Sequence, residues 1–254
     1  MTDAAPTPTA ALTASAVTTR LGSLADPELA VGVARFFQTG PGQYGEGDVF
    51  IGIKVPVVRT VVKAYATLPP AEIDLLLDSP VHEHRLTALL ILVGQFERAS
   101  RPNGFDAAAR TRLATDYLAA VERDRVNNWD LVDCSAPTLV GAYLFDRPRD
   151  VMFELAASDV LWHRRVAMVG SLGLIARGDA STTLELAARL LTDREPLMHK
   201  AVGWALREVG KRIDRAILLA FLDEHAPEMP RTALSYATEH LSPALRAAYR
   251  TRRR

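Results

Sequence analysis

Residues 162–172 read WHRRVAMVGSL, in which basic residues at the start are followed by small and apolar residues at helical spacing. Three other segments share this pattern: HEHRLTALLIL (82–92), HKAVGWALREV (199–209) and PRTALSYATEH (230–240). Their basic positions, which recur at 80, 35 and 31 residues, are Arg85, Arg165, Lys200 and Arg231. Because 80 residues is two periods of about 40, the recurrence is typical of stacked HEAT-type helix pairs. The sequence therefore predicts an all-α fold, a HEAT-like helical-repeat solenoid that is curved and has a concave binding face.

Apolar residues at spacings of three and four run through most of the chain, as in TTLELAARLL (182–191), and no alternating strand pattern of comparable length occurs. Several prolines stand where helices would begin, a position that tolerates the missing backbone donor. They are Pro56, Pro70, Pro80, Pro196 and Pro230. We expect about twelve helices, stacked as antiparallel pairs.

The two ends of the chain differ in composition from its middle. The N-terminus is rich in Ala, Thr and Pro and lacks the basic start and apolar centre of a secretory signal. We predict a disordered tail over residues 1–24, one repeat domain over residues 25–245 and a basic tail over residues 246–254. No apolar run approaches the ~20 residues of a membrane span. Cys134, the single cysteine, fits a reducing compartment, so we expect a cytoplasmic protein.

Charge is balanced over the whole chain but not along it. Thirty basic and thirty acidic residues give a net charge of zero, which argues against attraction of the whole molecule to nucleic acid. Five arginines nevertheless fall in the last nine residues, RAAYRTRRR. A basic end of this kind either grips phosphates or stays solvated.

All three tryptophans lie near charged residues at helical spacing. In NNWDLVD (127–133), Trp129 and Asp133 are four residues apart, which places an aromatic face beside a carboxylate on one side of a helix. Such a pair suits a positive charge that develops on a sugar. Trp162 precedes Arg165 by three residues, and Trp204 precedes Arg207 by three. Core packing is the alternative interpretation of each tryptophan taken alone.

Four motifs occur in one order: YGEGDVFIGIKVPVVR (44–59), NNWDLVD, the WHRR segment and KAVGWALREVGK (200–211). With them the chain resembles the AlkD-type DNA alkylation repair family, HEAT-like DNA glycosylases, over roughly residues 26–242. The resemblance implies that Trp129 and Asp133 supply the catalytic aromatic group and carboxylate. It also places the family's arginine on Arg165 and its second tryptophan on Trp204.

The resemblance further implies a monofunctional DNA glycosylase that removes cationic N3- or N7-alkylated purines from duplex DNA. Asp133, Trp129 and Trp204 would be catalytic, with no cofactor and no metal ion. DNA phosphates would be contacted by Arg165 and Arg207, and also by Lys200 and Lys211 on the helix of Trp204. We expect the protein to act as a monomer on DNA that contains alkylated bases.

Some interpretations stay open at this level. A non-catalytic HEAT-like scaffold that binds DNA or a protein partner would keep Trp129 and Asp133 for packing and capping. Arg165 and Lys200 would then belong to a ladder of salt bridges between repeats. The acidic residues Glu46 and Asp48 would repel phosphate, so their loop either faces away from the DNA backbone or belongs to a protein with another substrate.

Overall fold

The computed structural model describes residues 11–252. Within that range the regular structure is helical. The β pairing in these residues is a single isolated bridge between Val49 and Val81. The predicted all-α class is therefore confirmed. None of the helices in this range is long and apolar enough to cross a bilayer.

The chain divides into two compact units, Met1–Arg98 and Ala99–Arg254, where the sequence predicts one domain over residues 25–245. The first unit carries five helices within its described residues: α1 (Ala14–Gly22), α2 (Pro27–Phe36), α3 (Val55–Ala64), α4 (Pro70–Leu77) and α5 (His82–Ala99).

Helix α1 corrects the predicted N-terminal tail. Thr13 caps the helix by accepting a hydrogen bond from the Ala16 backbone N–H at 3.2 Å. Val17 and Leu21, four residues apart, are fully buried in the first unit. The prediction of disorder over residues 1–24 is therefore wrong for Ala14–Gly22, because these two side chains form an apolar stripe that packs. Residues 1–10 lie outside the described residues.

The second unit contains a π-helical turn at Pro137–Gly141 and eleven α-helical segments within its described residues. The segments are α6 (Ala107–Glu122), α7 (Trp129–Ala136), α8 (Ala142–Leu144), α9 (Asp150–Ala156), α10 (Leu161–Gly170), α11 (Leu172–Ile175), α12 (Ser181–Arg189), α13 (Pro196–Arg212), α14 (Arg215–His225), α15 (Arg231–Ala237) and α16 (Pro243–Thr251). These segments are more numerous than expected because breaks such as Ser171 divide longer helices.

Helix α16 extends into the predicted basic C-terminal tail. Ser242 caps the helix by accepting from the Leu245 N–H at 3.4 Å, and the helix continues to Thr251. Tyr249 is buried, with 4% of its surface exposed. The predicted tail over residues 246–254 is thus helical up to Thr251, and residues 253–254 lie outside the described residues.

Contacts in the second unit recur at a step of 32 residues. The Arg165 side chain bonds to Asp133 and to the Leu197 carbonyl, each 32 residues away. The Arg110 guanidinium bonds to the Ala142 carbonyl over the same separation. Helix α10 packs against both α7 and α13, and α13 packs against α15. The 31 to 40 residue recurrence in the sequence thus corresponds to a packed row of helices with a step of 32.

The helix starts show which basic residues are equivalent. Ser79 accepts from the Val81 N–H, bonds to the His84 ring, and its carbonyl accepts from Arg85. Ser158 makes the same three contacts, with Val160, His163 and Arg164. Arg85 is therefore equivalent to Arg164, and the sequence alignment of Arg85 with Arg165 is off by one position. Because Arg164 occupies the repeated position, Arg165 bonds to different partners.

Two glycines allow the closest helix contact in the second unit. A Cβ on Gly141 would lie 2.0 Å from the Gly170 carbonyl oxygen, and one on Gly173 would lie 2.0 Å from the Pro137 carbonyl oxygen. Real Cβ atoms do not approach backbone so closely, so the backbones at residues 141 and 173 meet only because both residues are glycine.

We expect Gly141→Ala to lower the free energy of unfolding by about 3 kcal/mol or more, since the obstructing atoms belong to backbone and overpacking costs of this order are typical. The control is Gly94→Ala in α5, where an added Cβ meets nothing within 4 Å. It should raise the unfolding free energy by about 0.5–1 kcal/mol through helix propensity. Denaturant titration of both variants checks this, and equal stability of the two would contradict the close contact.

Candidate active site

Helix α7 presents Trp129 and Asp133 on its partly exposed side. Asn128 is fully buried and caps the helix by accepting from the Trp129 N–H at 2.8 Å. Leu131 and Val132 are also fully buried, so they fix the rotation of the helix. Trp129 and Asp133 are left half-buried, one turn apart. An aromatic face and a carboxylate are therefore next to each other at a surface that a ligand can reach.

Arg165 on α10 holds the Asp133 carboxylate with two hydrogen bonds. Its Nε donates to Oδ1 at 3.0 Å and one terminal nitrogen donates to Oδ2 at 2.9 Å. The Arg165 side chain is 5% exposed, whereas that of Asp133 is 21% exposed. A guanidinium has only donors, so the bidentate arrangement orients an ionised carboxylate. The carboxylate is oriented by a buried group and keeps an exposed edge.

The same guanidinium connects α7 to the start of α13. Its other terminal nitrogen donates to the Leu197 carbonyl oxygen at 2.6 Å. Arg165 thus bonds to helices on both sides of α10. The sequence expectation that Arg165 contacts phosphate does not match this position, since all three of its side-chain nitrogens are engaged with the protein.

Burial and ion pairing act in opposite directions on Asp133. Burial raises the pKa of the carboxyl group, and the charge and hydrogen bonds of Arg165 lower it, with burial the larger effect. The nearby Asp130 carboxylate adds a small upward contribution. The pKa of Asp133 therefore lies above that of an ordinary aspartate and depends on Arg165.

Trp204 lies on α13, two helical turns beyond Leu197 and hence on a similar face of the helix. Its side chain is half-buried, and Lys200 and Lys211 on the same helix are exposed. Gly203 beside it is required by packing, because a Cβ there would lie 2.4 Å from the Ala233 carbonyl oxygen of α15. Trp162, by contrast, is buried with 8% of its surface exposed, as expected of core packing.

Arg207 belongs to a surface network of charges. It pairs with Glu239 of the next repeat and with Glu208 at 3.3 Å, while Arg212 contacts Glu208 at 2.6 Å. Burial raises the pKa of Glu208, but the hydrogen bond and charges of the surrounding cations outweigh it and leave the pKa lowered. Arg207 is thus partly neutralised. Lys200 and Lys211 form no salt bridge within the described part of the chain, although the charge of Lys211 acts on Glu208.

Of the two acidic residues in YGEGD, Asp48 is neutralised within the first unit, whereas Glu46 stays exposed. The Asp48 carboxylate pairs with Arg85 and accepts from His82 Nδ1 at 3.0 Å, and its side chain is 4% exposed. Glu46 accepts from the Gly42 N–H at 2.8 Å. Asp48 is therefore an internal ion-pair partner with little surface from which to repel a phosphate.

Two contacts near the site have no counterpart in the sequence analysis. One is the bond from Arg165 to the Leu197 carbonyl, which no side-chain pattern reveals. The other is the pair of Arg164 with Asp193 at 2.6 Å. The repeated Ser-x-Val spacing before His163 and His84 is the signal that separates Arg164 from Arg165. No group of three or more His, Cys, Asp or Glu residues in the described range is placed to hold a metal ion.

Comparison with known proteins agrees with the fold and with the family that the sequence resembles. The family model described as DNA alkylation repair enzyme matches residues 17–241. A predicted DNA alkylation repair enzyme from Enterococcus faecalis has a similar structure, with a TM-score of 0.64 and 18% sequence identity over 86% of this chain and 97% of that chain. That similarity supports the fold, and a search of curated proteins finds no significant match. Because the family model spans most of the sequence, the chain belongs to the DNA alkylation repair enzyme family.

Proposed function

We propose that this protein is a monofunctional DNA glycosylase that excises cationic N3- or N7-alkylated purines from duplex DNA. The observation that carries the proposal is the Asp133 carboxylate, held by Arg165 with an exposed edge one turn from Trp129. Family membership makes DNA alkylation repair the context of this site. A single chain supplies every proposed residue, so we propose that the protein acts as a monomer. We propose the cytoplasm as its location because the chain has a single cysteine, Cys134, and so contains no internal disulfide.

The chemistry needs a group that favours a sugar cation. An alkylated purine already carries a positive charge. As the N-glycosidic bond breaks, the base leaves with the bonding electron pair and becomes neutral. Positive charge then grows on the deoxyribose, where the Asp133 carboxylate stabilises it. Water adds to the sugar carbon and loses a proton, which leaves an abasic site. The indole face of Trp129, and that of Trp204, would stabilise the cationic sugar and base.

Binding and positioning are divided among the remaining residues. Lys200, Lys211 and the partly neutralised Arg207 are the proposed phosphate contacts. Arg165 is buried, so we assign it the role of a positioning residue that acts through Asp133. Phosphate contacts by exposed lysines would set the register of the duplex against the site.

One observation favours a second candidate, a non-catalytic scaffold. The Arg165 guanidinium joins three successive helices of the row, α7, α10 and α13, which is what a structural brace between repeats does. In that case Asp133 would serve stability alone. The two candidate functions differ in whether the exposed edge of the Asp133 carboxylate stabilises a sugar cation.

The direct test is release of base from a duplex that contains a single N7-methylguanine. We expect the purified protein, in excess over DNA, to release the methylated base well above the spontaneous rate and to leave the matched unmodified duplex intact. Chromatography of the released base measures this. Tight binding of the duplex with no release above the spontaneous rate would favour the scaffold and refute the glycosylase.

A further inference from the structure

The last repeat of the second unit contains a cleft of about 500 Å³ near the start of α15 and the end of α16. Three arginines line it: Arg231 from α15, and Arg250 and Arg252 from α16 or its end. Met229, Leu234 and Tyr249, each largely buried, also line it. No carboxylate is among the residues that line the cleft.

Two of these arginines lack a compensating charge. Arg231 and Arg250 are exposed, and neither has a carboxylate partner within the described residues. The Arg231 guanidinium donates to the Arg250 carbonyl oxygen at 3.1 Å, which ties the start of α15 to the end of α16. The Arg231 side chain is thereby held against the backbone of Arg250, and both residues line the same cleft.

Arg252 is arranged differently. It pairs with Asp223 at 2.8 Å, and its guanidinium carbon lies 4.6 Å from the centre of the Tyr249 ring. The Tyr249 hydroxyl donates to the same Asp223 carboxylate at 2.9 Å. Asp223 therefore offsets one of the three charges, and the cleft keeps the charges of Arg231 and Arg250.

An anion with several oxygens fits this arrangement best. The planar guanidinium fork matches phosphate oxygens and can donate two hydrogen bonds to them. The volume exceeds that of one small ion and suits a phosphate that carries a sugar on each side. Helix α15 packs beside α13 and follows it in the row. Arg231, at the start of α15, is therefore on the helix next to the one that carries Lys200.

We propose that this cleft binds a phosphodiester of the DNA backbone, outside the nucleotide that is excised. The proposal rests on the proposed function in that duplex DNA is the ligand, but it does not require base excision. The open side of the cleft and the exposure of Arg231 and Arg250 allow a polymer to pass through it. A free phosphate or a mononucleotide is the other source of the same chemistry.

The test compares Arg250→Ala with Arg246→Ala, a matched loss of one charge on the preceding turn of α16, outside the cleft. Arg250 is the better target because its side chain makes no bond that holds α16 in place, whereas that of Arg231 does. Affinity for a short undamaged duplex is measured at several salt concentrations. We expect Arg250→Ala to weaken binding roughly tenfold at low salt and to reduce the slope of log affinity against log salt by about one phosphate contact.

Arg246→Ala should leave the slope unchanged. Because the ligand is an undamaged duplex, the result of this test does not depend on whether the protein excises bases. In parallel, wild type and Arg250→Ala are titrated with inorganic phosphate and with AMP at constant ionic strength. The proposal would be overturned if wild type and Arg250→Ala had equal salt slopes, or if Arg250→Ala and Arg246→Ala lost DNA affinity equally. Arg250-dependent binding of AMP with unchanged DNA affinity would likewise overturn it and identify a nucleotide site.

Discussion

Asp133→Asn is expected to lower the single-turnover rate of base excision by about 10²-fold or more, while affinity for duplex DNA stays nearly unchanged. The reason is that an amide has no net charge with which to stabilise the sugar cation, a loss of the size seen when one electrostatic contact is removed from a transition state. Affinity for DNA should stay nearly the same because the Asp133 carboxylate attracts the sugar only once the sugar carries positive charge. Any change in affinity should be towards tighter binding, because a negative charge near the phosphates is removed.

The structure adds a second consequence of this change. Arg165 is 5% exposed, and with Asn at position 133 its guanidinium keeps one acceptor but loses its counter-ion. The free energy of unfolding should therefore fall, and it must be measured beside the excision rate. The matched control is Asp130→Asn, which removes the same charge from the same helix, where Asp130 accepts from the Leu131 N–H at 2.9 Å.

Asp130→Asn should excise at close to the wild-type rate. Rates are compared at a temperature where all three proteins are folded, with enzyme in excess over an N7-methylguanine duplex. If Asp133→Asn stays folded and excises as fast as Asp130→Asn, the catalytic assignment of Asp133 is wrong and the brace between repeats is its whole role.

The second large effect is expected for Arg165→Ala. Burial raises the pKa of Asp133 and Arg165 opposes that rise, so removal of the guanidinium lets the pKa climb further. Less of the carboxylate is then ionised at any given acidic pH. The low-pH limb of the excision profile should therefore move to higher pH, and the rate at neutral pH should fall. Loss of one partner of a largely buried pair should also lower the unfolding free energy by about 3 kcal/mol.

Arg164→Ala is the control for this prediction. Arg164 is the next residue on α10 and pairs with Asp193, so its loss breaks an ion pair without touching Asp133. Its pH profile should keep the wild-type limb. Arg165→Lys should lie between wild type and Arg165→Ala, because a lysine retains charge but not the two-bond geometry. An unshifted limb in Arg165→Ala would show that Asp133 is not the group that controls the acid limb.

The salt dependence of DNA binding separates positioning from phosphate contact. Since the Arg165 nitrogens are occupied by Asp133 and Leu197, Arg165→Ala should leave the salt slope unchanged. A slope reduced by about one would instead restore the phosphate role that the sequence suggests. Measurement on undamaged duplex keeps this result independent of excision.

Local periodicity in the sequence was enough to determine the helical class and the placement of Trp129 beside Asp133. Spacing along one helix decides which residues share a face, and this needs no knowledge of other helices. The order of the motifs identified the family in the same way, because each motif is a short continuous segment. None of these inferences depends on how one helix packs against another.

Tertiary structure alone decided the partners of the charged residues. The bond between Arg165 and Asp133 spans 32 residues and exists only because α10 packs against α7. Asp48 appears in the sequence as an acidic surface residue, yet contact with Arg85 and His82 makes it an internal ion pair. A side chain that bonds to a distant segment depends on the packing of whole helices, and a pattern within one helix does not contain that information.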